Sequence, residues 1–296
     1  MDKIIRCITS DGSIMASAID STDIVYTAQK IHQLTPVATA ALGRLLTASS
    51  MMGNMLKKED ATLTLKVNGG GPIGVVVAVA DSHGNCKGYV GDPHVQVENH
   101  SNGKLGVSRA VGTDGLLYVM KDFGEREPYI GQIPLVSGEI AEDITSYYAV
   151  SEQIPTVCAL GVLTDKQDGQ LLLAGGLLIQ LLPAADEAAI SRLEQNIAVL
   201  EPVTTMLAKG MQIEEICRHA LEGFEVEVLE EQRVAYACNC SRQRVIDAIR
   251  MLSAQEILSL ADDQKGYAEA TCQFCDKVFH IDRRELEKIV REKEKK

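Results

Sequence analysis

The chain has 296 residues, 46% hydrophobic and 24% charged, a balance that builds a real core and excludes wholesale disorder. Its 29 basic and 41 acidic residues leave a net charge of −12, which opposes nucleic-acid binding, because phosphate backbones are held by dense Lys and Arg surfaces. With no Trp, 4 Phe and 8 Tyr, the interior has to be made of Val, Ile, Leu, Ala and Met.

Residues 1–181 read as one α+β core domain. Strands are expected at 4–8 and 13–19 around the turn Asp11-Gly12. Thr35-Pro36 is a helix opening, an N-cap followed by proline at the first helical position. The segment 37–55 is rich in Ala, Leu and Met, interrupted only by Gly43 and Gly53, and predicts one long buried helix. Strands follow at 61–67, 73–80 and 87–90, separated by Asn68-Gly-Gly-Gly-Pro72 and Ser82-His-Gly-Asn85, then at 117–122 and 129–135. Residues 139–151 predict a helix with Ile140, Ile144, Tyr147 and Tyr148 on one face, and 156–163 and 170–182 flank a turn like a hairpin. Short turns between neighbouring strands favour antiparallel sheets rather than a doubly wound parallel one.

The composition changes after that. Residues 184–230 carry 10 acids against 3 bases, and Ile190, Leu193, Ile197 and Leu200 recur at helical spacing. Pro202 interrupts the pattern, 204–207 resume it, and Ile213, Ile216 and Leu221 continue it after Gly210. Residues 182–230 therefore read as an amphipathic helical linker region lying on the core, weakened by short helices and self-repelling charge. Residues 231–296, with 13 bases and 12 acids, read as a small third domain ending in a solvated, charge-alternating helix at 282–296.

The start, MDKIIRC, has an acid at Asp2 and no basic region ahead of an apolar stretch, so no secretory signal is expected. The most apolar run, 171–185, is broken by Gln180 and Pro183 and falls short of the roughly 20 residues of a membrane span. A cytoplasmic protein without membrane attachment is expected. That compartment keeps thiols reduced, so the eight Cys argue against a structural disulfide framework. Cys7, Cys86, Cys158 and Cys217 are scattered and read as inert buried thiols.

Cys238-Asn-Cys240, 31 further residues, then Cys272-Gln-Phe-Cys275 is the strong local signal. Four thiolates in two close pairs suit Zn²⁺, whose structural sites are tetrahedral with sulfur ligands. The first pair is one residue tighter than in a standard zinc ribbon. Two readings stay open on spacing alone: a metal that merely holds a small domain together, and a switch. A segment this short buries little, so metal binding would supply much of its folding energy, about 10–16 kcal/mol apparent. Oxidation of the thiolates, each with a neighbour one or two residues away to resolve it, would remove the ligands, eject the metal and unfold the domain.

Other chemistry finds less support. Asn68-Gly-Gly-Gly-Pro72 lacks the G-x-x-x-x-G-K-[ST] of a phosphate cradle and reads as a turn. No H-E-x-x-H or G-x-S-x-G is present, and no H-x-E or C-x-E accompanies the C-x-x-C as in zinc deaminases. His280 could offer a fifth ligand, but four Cys already fill a tetrahedron. Two alternatives remain: a zinc knuckle binding nucleic acid through Arg242, Arg244 and Arg250, which the overall charge opposes, and a thiol–disulfide oxidoreductase using Cys272 and Cys275, which does not follow a βαβ start.

Taken with these cysteines, several ordered motifs are similar to one family over essentially the whole chain. They are Cys238-x-Cys240-Ser241-x-x-Arg244, Cys272-x-x-Cys275, Gly69-Gly-Gly-Pro-Ile-Gly74 with Ala80-Asp-Ser82, Arg109-Ala-Val-Gly112, Ser137-Gly-Glu-Ile-Ala-Glu142, and Ser151-Glu-Gln153 with Pro155. The chain resembles the heat shock protein 33 family, redox-regulated holdase chaperones of the bacterial cytosol. The resemblance implies an ATP-independent chaperone rather than an enzyme, silent while reduced with one Zn²⁺ per chain on Cys238, Cys240, Cys272 and Cys275. It further implies that oxidation forms the disulfides Cys238–Cys240 and Cys272–Cys275, releases zinc and unfolds the linker, here 182–230. The activated protein then binds unfolding client proteins and forms a homodimer. Because the Cys238-x-Cys240 ring is the tighter one, Cys272–Cys275 is expected to close first. Cys7, Cys86, Cys158 and Cys217 are additional, and leave room for disulfides outside the family's pattern.

Overall fold

The computed structural model describes residues 1–101, 103–124, 127–260 and 265–294. They form two compact units, Met1–Ala237 and Cys238–Lys296. In the first unit, β1 (Lys3–Thr9) and β2 (Ile14–Asp20) form a hairpin whose turn is closed by Asp11, which accepts from the Ser13 backbone N–H and from the Thr9 and Ser13 hydroxyls. Helix α1 (Thr22–His32) leads to α2 (Pro36–Asn54). Next come β3 (Thr62–Asn68), β4 (Val76–Asp81), β5 (Cys86–Val90), the short α3 (Val107–Val111), β6 (Leu116–Asp122) and β7 (Tyr129–Pro134). Helix α4 (Ala141–Tyr147) and one π turn (Tyr148–Glu152) precede the long hairpin β8 (Thr156–Thr164) and β9 (Leu171–Leu181). Helices α5 (Glu187–Val199), α6 (Val203–Ala208) and α7 (Ile213–Ala220) then lead into β10 (Val226–Arg233).

Two five-stranded antiparallel sheets result, ordered β10-β1-β2-β9-β8 and β5-β4-β3-β6-β7. The predicted α+β class with antiparallel sheets holds. Helix α2 lies between the sheets, packed on β3, β4 and β5 on one side and on β2, β8 and β9 on the other. Every residue from Val37 to Asn54 except Arg44 is buried, as a helix apolar on all faces requires. Its buried hydroxyls are satisfied: Thr39 donates to the Thr35 carbonyl, Thr47 to Gly43, Ser49 to Leu46 and Ser50 to Gly84. Gly43 is a packing requirement rather than a weak point, since a Cβ there would lie 2.7 Å from Val25 Cγ1 and 2.9 Å from Val162 Cγ2.

The other face of the first sheet carries Ile5, Cys7, Ile14, Ala16, Ala18, Leu177 and Ile179. Helices α5–α7 cover it with Leu193, Val203, Met206, Ile213, Ile216, Cys217 and Ala220. The helical reading of this stretch therefore holds for α5–α7 but stops there. Residues 226–233 are a strand paired antiparallel with β1, with a register shift between Arg6 and Cys7. Three of its eight residues are Glu, but Phe224, Val226 and Val228 alternate with Glu225 and Glu227, a strand period that the helical reading passed over. Its backbone hydrogen bonds to β1 and the ion pair Arg6–Glu230 at 2.6 Å come from the other end of the chain.

In the second unit, α8 (Arg242–Ile249) and α9 (Ala254–Ser259) precede the hairpin β11 (Tyr267–Thr271) and β12 (Val278–Asp282), followed by α10 (Arg283–Glu294). Ser241 and Ser253 cap α8 and α9 through their side-chain oxygens, which accept from the N–H groups of Arg244 and Glu256. Seven buried side chains, Ile249, Ile257, Ala268, Ile281, Leu286, Ile289 and Val290, make up its core. Three of these belong to α10, so the terminal helix is a core element and not merely a solvated one.

Candidate metal centre

The turn of the β11–β12 hairpin is the segment Cys272-Gln-Phe-Cys275-Asp276-Lys277. The Cys272 N–H donates to the Lys277 carbonyl at 3.0 Å, and the Cys272 carbonyl accepts from Cys275 at 3.3 Å and Asp276 at 2.9 Å. Asp276 takes a left-handed φ of 55°, which a small polar residue tolerates, and so returns the chain to β12 with both sulfurs on the same side. Cys238 and Cys240 lie in extended chain just ahead of α8. Between them Asn239 Oδ1 accepts from Arg244 Nη1 at 2.8 Å, tying the first pair to the start of the helix.

The four sulfurs lie within 4.8 Å of one another. The approaches across the pairs are Cys238–Cys272 at 3.7 Å and Cys240–Cys275 at 3.4 Å. Metal–sulfur bonds of about 2.3 Å in a tetrahedron place sulfurs about 3.8 Å apart, so the thiols are already at the spacing such a shell needs. Burial raises the thiols of Cys238, Cys240 and Cys275. At Cys272 burial acts the same way, but the N–H groups of Phe274 and Cys275 and the neighbouring thiols outweigh it and lower the thiol. The thiolate is the form that both binds metal and reacts with oxidants.

All four cysteines singled out from the sequence come together here. His280 does not join them: it sits on β12 with its ring edge-on to Tyr267 at 4.6 Å, outside the candidate ligand group. The cross-pair approaches, the Asn239–Arg244 tie and the left-handed Asp276 carried no signal in the sequence, because each depends on segments brought together by folding.

The remaining candidates resolve as structure. The glycines at 69–71 form a turn pressed against 110–112: the Gly71 N–H donates to Val111 and the Ile73 N–H to Ala110, and a Cβ on Gly69 or Gly71 would lie 2.3 Å from a backbone oxygen. Those amides are engaged and cannot cradle a phosphate. Ser108, His100 and Glu139 also meet, but the serine hydroxyl and the carboxylate both lie 3.5 Å from the same ring atom, His100 Nε2. A relay needs the two on opposite ring nitrogens; here Glu139 instead pairs with Arg44 at 2.6 Å. Burial pushes the Cys158 thiol up to about 12 and that of Cys86 higher still; Cys7, Cys86 and Cys217 are buried, and Cys158 is part-buried. Among the described residues no helix is long and apolar enough to cross a membrane.

Comparison with known proteins gives one answer. The family model described as Hsp33 protein matches residues 2–282. The 33 kDa chaperonin of Clostridioides difficile is 46% identical over 291 residues, covering 98% of this chain and 99% of that protein. Its counterpart in Acetivibrio thermocellus is 45% identical over 290 residues, covering 98% and 97%. The crystal structure of the 33 kDa chaperonin of Thermotoga maritima, a heat shock protein 33 homologue, superposes with a TM-score of 0.89 at 30% identity and 99% coverage of both chains. The chain belongs to the Hsp33 family of 33 kDa chaperonins, which are chaperones and not enzymes, and it carries a four-cysteine cluster able to bind a metal.

Proposed function

We propose that this protein is a redox-regulated, ATP-independent holdase of the cytoplasm, silent while reduced and loaded with one Zn²⁺ per chain. The observation that carries the reading is the pairing of four converged sulfurs with a small apolar core, a buried cluster of seven side chains among the described residues. Cys238, Cys240, Cys272 and Cys275 would hold the zinc, which when bound supplies folding energy to the second unit. Oxidant takes two electrons from each adjacent pair, giving Cys238–Cys240 and Cys272–Cys275, and neither disulfide can serve as a thiolate ligand. The tighter ring of Cys238-x-Cys240 favours Cys272–Cys275 as the first bond to close.

Within the boundaries proposed, core 1–181, linker 182–230 and redox domain 231–296, the linker is the element that has to let go. Its helices have 13, 6 and 8 residues, too short to persist in water without packing. Lifting them would bare Ile5, Ile14, Ala16, Ala18, Leu177 and Ile179 as a continuous apolar face, the kind of surface that takes up unfolding proteins. The same exposure accounts for a homodimer in the active state. The acidic balance argues against nucleic acid as a partner.

One titration tests the proposal. Peroxide is added to the reduced protein under mild warming while a chromogenic chelator reports zinc, a client assay reports aggregation, and peptide mapping reports disulfides. One zinc released per chain together with rising suppression of aggregation is the expected result. Zinc release without suppression would reduce the metal to a structural staple and overturn the holdase reading.

A further inference from the structure

Residues 234–237 continue past β10 and lie along the outer side of β5, the edge strand of the second sheet. The pairing is parallel: the Cys86 N–H donates to the Ala235 carbonyl at 3.0 Å, and the Ala237 N–H donates to the Cys86 carbonyl at 2.9 Å. The Ala235 N–H donates to Asn85 Oδ1 at 3.2 Å. At Gly88, the next outward-facing residue of β5, a side chain takes over from the backbone. The Tyr236 hydroxyl donates to the Gly88 carbonyl at 2.9 Å and accepts from the Gly88 N–H at 3.3 Å, the two bonds that a further strand residue would make. Val234 and Tyr236 turn inward. Val234 is 3% exposed, with its Cγ1 2.9 Å from where a Cβ on Gly84 would sit, and Tyr236 packs on the main core. Ala235 and Ala237 are exposed.

We propose that the β5 edge is a docking site for an extended apolar segment of an unfolding client, and that residues 234–237 are its resting occupant. An edge strand offers N–H and C=O groups on which another extended chain can pair, and such pairing reads backbone rather than sequence. The segment seated there shows the chemistry that fits. Small residues, Ala235 and Ala237, make the backbone bonds, and apolar side chains between them, one of them aromatic, face the core. The proposal rests on the holdase reading and adds to its apolar face a place where the client's main chain is held.

The place where the segment ends decides when it leaves. Ala237 directly precedes Cys238, the first cysteine of the cluster. While the second unit is folded, 234–237 is held at both ends, by β10 and by that unit, and meets β5 at high effective concentration. Once the second unit unfolds, the same four residues become the end of the folded part, and such ends fray. Cys86 and Gly88 then present their N–H and C=O groups to an incoming chain. Lys87 and Tyr89, which face β4 in the antiparallel ladder, keep their partners.

Residue-resolved hydrogen exchange on the full chain tests this in the zinc-loaded state, after oxidation, and after oxidation with an added probe. The probes are an unfolding client and a synthetic peptide that repeats residues 234–237 between uncharged flanks. Exchange at the Cys86 and Gly88 amides should rise roughly tenfold on oxidation, with Lys87 and Tyr89 unchanged, and fall back with either probe. N-methylation of the peptide at the amide matching Ala237 should abolish the recovery. N-methylation at the amide matching Tyr236, which faces away from β5, should leave it. Edge amides that stay protected after zinc release, or that the peptide does not re-protect, overturn the docking site, and so does an equal effect of the two N-methyl groups. If aggregation is suppressed while the client leaves Cys86 and Gly88 unprotected, the docking site falls and the holdase reading stands. If the peptide protects both amides while aggregation is not suppressed, the holdase reading falls and the β5 edge remains a peptide site.

Discussion

The two units of this chain solve the folding problem in opposite ways. Met1–Ala237 surrounds a 19-residue helix, α2, with two sheets, and Leu42, Leu45, Leu46, Met51, Leu63 and Leu65 are all fully buried. Among its described residues Cys238–Lys296 has a buried cluster of seven apolar side chains, one two-stranded hairpin, short helices and four thiols at metal-ligand spacing. The first unit is stabilised by apolar burial, which does not depend on the ionisation of any one group. The second is completed by ligands whose protonation and oxidation state can change. On the proposed reading, a redox signal acts first on the second unit and reaches the first only through α5–α7.

The largest effect should come from breaking the ligand set. Cys272→Ser should cost the second unit on the order of 10 kcal/mol of metal-linked stability, so that amide protection disappears from β11, β12 and α10 while β3, β4 and α2 stay protected. Hydrogen exchange of the zinc-loaded wild type and variant measures this directly. Equal protection of β11 and β12 in both proteins would mean that the second unit folds on its apolar core alone. The contrast would then collapse.

A change of intermediate size should do the reverse. Leu46→Ala removes a fully buried side chain from α2 and should lower the stability of the first unit by about 2–5 kcal/mol. Zinc affinity, read by chelator competition, should not move, because the ligands and their unit are untouched. A shift in affinity of more than about tenfold (about 1.4 kcal/mol) would show that the two regions are energetically one.

The smallest effect concerns pH and belongs to the first unit. Burial raises the Asp2 carboxyl to about 7, against the lowering effect of the Asp23 and Ile24 N–H groups that donate to it and with further raising by Asp20 and Asp23. A carboxyl whose folded value lies above its unfolded one holds its proton more tightly when folded. The first unit should therefore lose stability as pH rises from about 4 to about 7, by on the order of 2 kcal/mol once solvent screening is allowed for. Asp2→Asn should flatten that slope in denaturant titrations at pH 5 and pH 8. A wild-type slope of opposite sign would show that the N–H donors dominate over burial.

Much of this was legible in advance, for reasons that differ from element to element. Helix α2 could be read because its opening Thr35-Pro36 and its unbroken apolar run are local properties. The ligand cysteines could be read because metal coordination imposes close pairs. Strand β10 left a local trace in the alternation of Phe224, Val226 and Val228 with Glu225 and Glu227, which the helical reading of 184–230 overrode, but its partner β1 lies at the far end of the chain and could not be read. Nor could the buried face of α10: three apolar positions among dense charge suffice for a small core but look like a solvated helix.

What the sequence by itself determined is whatever depends on neighbours in the chain: helix openings, turns, the antiparallel class and the identity of the four cysteines of the cluster. Tertiary structure decided which faces are covered and which distant thiols meet. It set α5–α7 over the first sheet, placed β10 beside β1, and brought Cys238 and Cys240 against Cys272 and Cys275. Burial and pairing over long sequence separations are collective properties of the packed chain. No spacing of residues along it records them.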